Sequence, residues 1–74
     1  MKTYVEVLVS ADGEKASVIT ERLIEMGLKP TIGEHDFVYN WKDTVSVSEV
    51  LNFVDRVQSK LKGTGAILNF STIR

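Results

Sequence analysis

Three groups of residues in this chain have types and spacings that could carry chemistry. Glu34, His35 and Asp36 follow one another in a turn-like stretch opened by Gly33. Neighbouring turn residues converge poorly on one ion, and with no second histidine to complete a transition-metal site a metal is not expected. A carboxylate beside an imidazole could orient it as a general base, but no nucleophile stands at a recognisable spacing, because Ser46 reads as a helix cap. The second group is Phe37, Tyr39 and Trp41, which alternate and so share one face of a strand. Such a row packs in a core or at a subunit interface, or, on an open sheet face, stacks bases and flat rings. Single-strand binders place glycines and basic residues among their aromatics; here Glu34 and Asp36 precede the row and only Lys42 follows. An acidic turn beside aromatic faces suits a cationic or flat heterocycle instead, so Glu34, His35, Asp36, Tyr39 and Trp41 form the candidate ligand-binding set. The third group, Gly63-Thr64-Gly65 after Lys62, resembles a phosphate cradle only superficially. Phosphate loops precede a helix, where free N–H groups point at the anion, and here the helix comes first. No catalytic residue, cofactor or metal follows from these groups.

The elements that must position them are legible. Ser46 with Glu49 makes a capping box, in which each side chain takes the other's backbone N–H, and Val45 with Val50 makes a hydrophobic staple. The helix they open runs to a stop at Gly63, with Val47, Val50, Leu51, Val54, Val57 and Leu61 as its apolar stripe and Phe53 on the flank. Thr3 to Val9 alternates as a strand with its valines on one side and Tyr4, Glu6 and Leu8 on the other, a mixed side that is either solvated or covered by a partner. A first helix begins near Gly13, carries Ala16, Ile19, Leu23 and Met26 as its stripe with Ile24 beside it, and stops in a Schellman turn at Gly27-Leu28. Val18 falls on its polar side without an intrahelical reason. Lys29 to Lys42 reads as a short strand broken by Pro30 and Gly33, a turn, and a better strand over Phe37 to Trp41. Ala66 to Ile73 closes the chain as a strand with Leu68 and Phe70 on one side and Ile67, Asn69 and Ser71 on the other.

The order β-α-β-β-α-β predicts a single α+β domain, the ferredoxin-like arrangement of a four-stranded antiparallel sheet with two helices on one face. Two helices cannot cover both faces, so the second face meets solvent, a ligand or another subunit. Function is expected there.

Several of these stretches together, Glu25-Met26-Gly27-Leu28-Lys29, the broken strand pair to Trp41, the helix from Val47, and Ala66-Ile67-Leu68-Asn69-Phe70-Ser71-Thr72-Ile73, resemble the small thiamine-binding protein family. The resemblance covers about two thirds of the chain and implies a ferredoxin-like fold, sheet-mediated oligomerisation and a thiamine-type ligand. Pro30 and Thr31 stand where the family has aromatic and acidic residues, so no ligand contact carries over by position.

Composition sets the remaining bounds. Nine basic against ten acidic residues leave a formal charge of −1, which gives no general field for nucleic acid. Apolar runs are far too short for a membrane span. Without cysteine, and with a strand pattern starting directly after Met1-Lys2-Thr3, a cytoplasmic location is expected. A chain of 74 residues has a small core to set against roughly 1.5 kcal/mol per residue of lost conformational entropy, so a homo-oligomer is expected. The reading is a non-enzymatic, self-associating module for a small heterocyclic cation. The alternative is a protein-interaction or regulatory subunit that uses the bare face without a ligand. A hydrolase of acylphosphatase type would need an arginine-bearing phosphate loop where Ser10-Ala11-Asp12-Gly13 stands, and an acidic loop repels phosphate.

Overall fold

The computed structural model describes residues 1–33 and 35–73. Its elements are β1 (Lys2–Leu8), α1 (Ala16–Glu25), β2 (Lys29–Pro30), β3 (Phe37–Asn40), α2 (Val47–Lys60) and β4 (Ile67–Ile73). The strands form one sheet in the order β2-β3-β1-β4, with every neighbouring pair antiparallel. Both helices pack on one face, giving the ferredoxin-like α+β arrangement expected from the element order.

Strand alternation decides what each face receives. The odd-numbered residues of β1 and β3 point to the helices, so Val5 and Phe37 join Ile19, Leu23, Leu28, Phe53, Val57 and Leu61 in the buried core. Val7, Tyr39, Trp41, Leu68 and Phe70 pack around its margin. Lys2, Tyr4, Glu6 and Leu8 point the other way, where no helix or strand of the described residues covers them.

Each helix is held at its ends. The Ser46 hydroxyl accepts the Glu49 N–H at 3.2 Å, which satisfies one of the unpaired donors of the first turn of α2. The return bond expected from the Glu49 carboxylate is not among the hydrogen bonds of the described residues. The α1 stop is a Schellman turn: Leu28 N–H reaches the Leu23 carbonyl at 3.2 Å and Gly27 N–H the Ile24 carbonyl at 2.9 Å, with Gly27 at φ +93°. That left-handed backbone is why glycine stands there.

The buried side of α2 differs from the expected stripe. Val47 is 74% exposed and Leu51 57%, whereas Phe53, Val57 and Leu61 are buried and Val50 and Val54 are half-buried. The helix is therefore rotated so that its largest apolar side chain, Phe53, faces the sheet, because burying a full aromatic ring outweighs burying the smaller Val47. On α1, likewise, Ile19 and Leu23 are buried but Ala16 is exposed.

Gly63-Thr64-Gly65 has a structural use. Buried Thr64 donates its hydroxyl to the Leu61 carbonyl at 2.6 Å and accepts the Ala66 N–H at 3.2 Å. Its own carbonyl takes the Glu14 N–H at 2.9 Å, tying the loop before α1 to the loop before β4. A Cβ on Gly13 would come within 2.4 Å of that same carbonyl oxygen, so the two loops approach as closely as a glycine permits.

Candidate functional site

Of the five residues singled out in the sequence, the four that the structure describes separate. Tyr39 and Trp41 lie on the covered face. Their rings are 4.9 Å apart edge to face, Tyr39 stacks on Phe53 at 4.4 Å, and Trp41 meets Phe53 edge-on at 5.4 Å. The Trp41 indole N–H donates to the Thr3 hydroxyl at 2.8 Å, and Thr3 in turn bonds the Thr72 hydroxyl at 2.8 Å. Thr3 is fully buried, so this chain satisfies polar groups that burial would otherwise penalise. Phe37 is in the core beside them. The aromatic row thus serves packing, one of the two uses its spacing allowed.

Asp36 is committed to the backbone. Its carboxylate accepts the Val7 N–H at 2.7 Å, and its own N–H donates to the Val5 carbonyl at 3.2 Å. Because β3 starts only at Phe37, the Val7 N–H has no β3 residue to pair with, and the Asp36 side chain takes that place in the ladder. The turn closes on itself as Thr31 N–H reaches the Asp36 carbonyl at 2.9 Å and the Thr31 hydroxyl donates to the His35 carbonyl. Glu34 lies outside the described residues.

His35 goes to the opposite face. The anchored turn lays its ring on Tyr4, with centroids 4.6 Å apart and 29° between the planes. Its Nδ1 lies 3.3 Å from the Glu6 carboxylate, and both side chains are partly exposed. Strand register surrounds this pair: Tyr4 stands between Val38 and Ser71, Glu6 beside Asn69, and Leu8 beside Ile67. The uncovered face therefore has an aromatic and acidic centre, with an exposed apolar rim at Leu8 (60%), Ile67 (62%) and Ile73 (53%).

Tyr4 and Glu6 were absent from the candidate set read from the sequence. The signal for them was the alternation of β1, which put both on the mixed side. What alternation could not give was the turn that brings His35, distant in the chain, to meet them. Chemically, the cluster offers one aromatic surface, one carboxylate and one imidazole, enough to stack and neutralise a flat cation. Among the described residues no group of three or more His, Cys, Asp or Glu side chains is placed to hold a metal ion. No helix among them is long and apolar enough to cross a membrane.

Comparison with known proteins finds no match for this chain among family models, curated proteins or solved structures.

Proposed function

We propose that this chain is a non-enzymatic, self-associating binding module whose working surface is the open sheet face, and that its ligand is a flat heterocyclic cation of thiamine type. One observation carries the reading. His35 is itself a heteroaromatic ring, and it lies on Tyr4 with a nitrogen turned to Glu6. A cationic heterocycle continuing or replacing that stack finds the same two partners, a π-face and a carboxylate. The site differs from the set read in the sequence: it retains His35, gives Asp36 the task of holding the turn, and takes Tyr4 and Glu6 in place of Tyr39 and Trp41.

The test is calorimetric titration with thiamine, its phosphates and its pyrimidine half, repeated on Glu6→Gln and Tyr4→Leu. Binding of one of these that is lost in both variants supports the proposal. Silence across the whole series removes the ligand.

The second reading, an interaction subunit without a ligand, is favoured by the exposed Leu8, Ile67 and Ile73 at the rim of the same face. Leu8 and Ile67 pair at one end of the face and Ile73 stands at the other, and apolar side chains left exposed on an open face are what a partner surface covers. A silent titration series leaves this as the use of the face.

A further inference from the structure

The sheet has two free edges, and they are built differently. At one, β2 is two residues long and consists of Lys29 and Pro30. A lysine makes pairing costly and a proline has no N–H to offer, so this edge is blunted. At the other, β4 runs for seven residues, pairs with β1 along its whole length, and contains neither a charge nor a proline. A long neutral edge is a template for another strand.

Register shows which groups are free. The Trp41 N–H donates to the Met1 carbonyl at 3.1 Å and the Val7 N–H turns toward Asp36, so odd-numbered residues of β1 direct their backbone groups to the β3 side. Antiparallel ladders alternate, so even-numbered residues of β1 serve β4, where their partners are Ile67, Asn69, Ser71 and Ile73. The N–H and C=O groups of Leu68, Phe70 and Thr72 are left pointing out of the sheet.

We infer that this edge pairs antiparallel with the β4 edge of a second copy of the chain, about a two-fold axis at Phe70, to give one continuous eight-stranded sheet. The inference rests on the self-association proposed above and assigns it a surface. In this register Leu68 opposes Thr72 and Phe70 opposes its own copy, so the outward residues of both strands meet as hydrogen-bonded pairs, roughly six N–H···O=C bonds in all. The side chains match as well. On the open face Ile67 meets Ile73 and Asn69 meets Ser71; on the helix face the two Phe70 rings meet across the axis. No like charges are opposed. Moving the register by two residues pushes an outward pair beyond the end of β4. It is the near-palindromic pattern, with Ile67 and Ile73 at the ends, Asn69 and Ser71 between and Phe70 at the centre, broken only where Leu68 meets Thr72, that selects a second copy over a foreign strand. On the helix side the same edge borders a cleft of about 660 Å³ lined by Asp55, Gln58, Ser59, Lys62, Ala66 and Leu68. It carries both signs of charge, which lets it meet its own copy without opposing only like charges. The assembly would set two Tyr4, His35 and Glu6 clusters side by side on one continuous face.

Sedimentation equilibrium of the full chain at micromolar concentration tests this on the wild type and two double variants. Asn69 and Ser71 are exposed, so neither variant removes core packing, and circular dichroism melts check the fold. The wild type is expected at twice the 8.3 kDa chain mass. N69K/S71K opposes lysines across the axis and should weaken the dimer at least roughly tenfold, whereas N69K/S71E opposes lysine to glutamate and should restore it. A monomeric wild type would overturn the self-association reading and this inference together. A dimer unmoved by N69K/S71K would overturn the β4 edge while leaving self-association standing, and a swap variant as weak as the double-lysine one would overturn the register.

Discussion

The two faces of this sheet are built from the same kinds of side chain and put to opposite uses. On the covered face, Tyr39 and Trp41 close around Phe53, and the Arg56 guanidinium lies 5.8 Å from the Phe53 ring centre. The one polar group that Trp41 brings is passed to Thr3 and on to Thr72. On the open face, Tyr4 takes the ring of His35, and the polar group that His35 brings is turned to Glu6. Both are an aromatic contact with one polar partner. What differs is burial: the first cluster closes on fully buried Phe53 and Thr3, whereas every member of the second is partly exposed. Buried, the arrangement contributes packing and must satisfy every donor. Exposed, it contributes little to stability and stays free to change partners.

Breaking the covered cluster should have the largest effect. Phe53→Ala removes the ring that Tyr39 and Trp41 both touch and should cost about 3–5 kcal/mol. Against a total stability on the order of 4–11 kcal/mol for a chain of this length, that is a large share, and urea unfolding followed by circular dichroism should show a midpoint shifted strongly downward. A midpoint unchanged within error would mean that the three-ring cluster is not the centre of the core. A smaller loss is expected from Trp41→Phe, which keeps an aromatic ring but leaves buried Thr3 without the indole donor, at about 1–2 kcal/mol. Comparing it with the double variant that also carries Thr3→Val separates the hydrogen bond from the packing. If the two mutations add, the bond contributes nothing.

The open face should answer oppositely. His35→Ala is expected to change stability by less than about 0.5 kcal/mol, as substitutions outside the core usually do, while altering the response to heterocyclic cations. A loss above about 2 kcal/mol in the same urea experiment would show that the His35 ring holds the 31–36 turn in place, and the contrast between the faces would fail.

Much of the fold was legible because it is encoded locally. The Ser46 cap, the Schellman stop at Gly27 and the alternation of β1 and β4 each depend on residues a few positions apart, and each is where the sequence puts it. The rotation of α2 was less legible. Spacings of three and four drew a stripe through Val47 and Leu51, but both stripes are helical in period, and the choice between them falls to whichever presents Phe53 to the sheet. The candidate site was legible only in part. His35 was marked by its neighbours Glu34 and Asp36, but its structural partners are Tyr4 and Glu6, and Asp36 acts on Val7.

By itself, then, the sequence determined the elements, most of their ends though not the start of α1, which is at Ala16 instead of near Gly13, and their order, and through that order a sheet with helices on one side only. It also determined that Phe37, Tyr39 and Trp41 share a face, because alternation is a property of a single strand. Which face that is, and which residues join across it, was decided by tertiary structure. Pairing β3 with β1 places their odd-numbered residues against the helices together, so Tyr39 and Trp41 pack at the core margin once Val5 is buried. The turn before β3, anchored by Asp36 on Val7, breaks that alternation and lays the His35 ring on the uncovered side. Neither outcome can be read from periodicity, because turning a strand over leaves its pattern unchanged while exchanging every side chain between core and solvent.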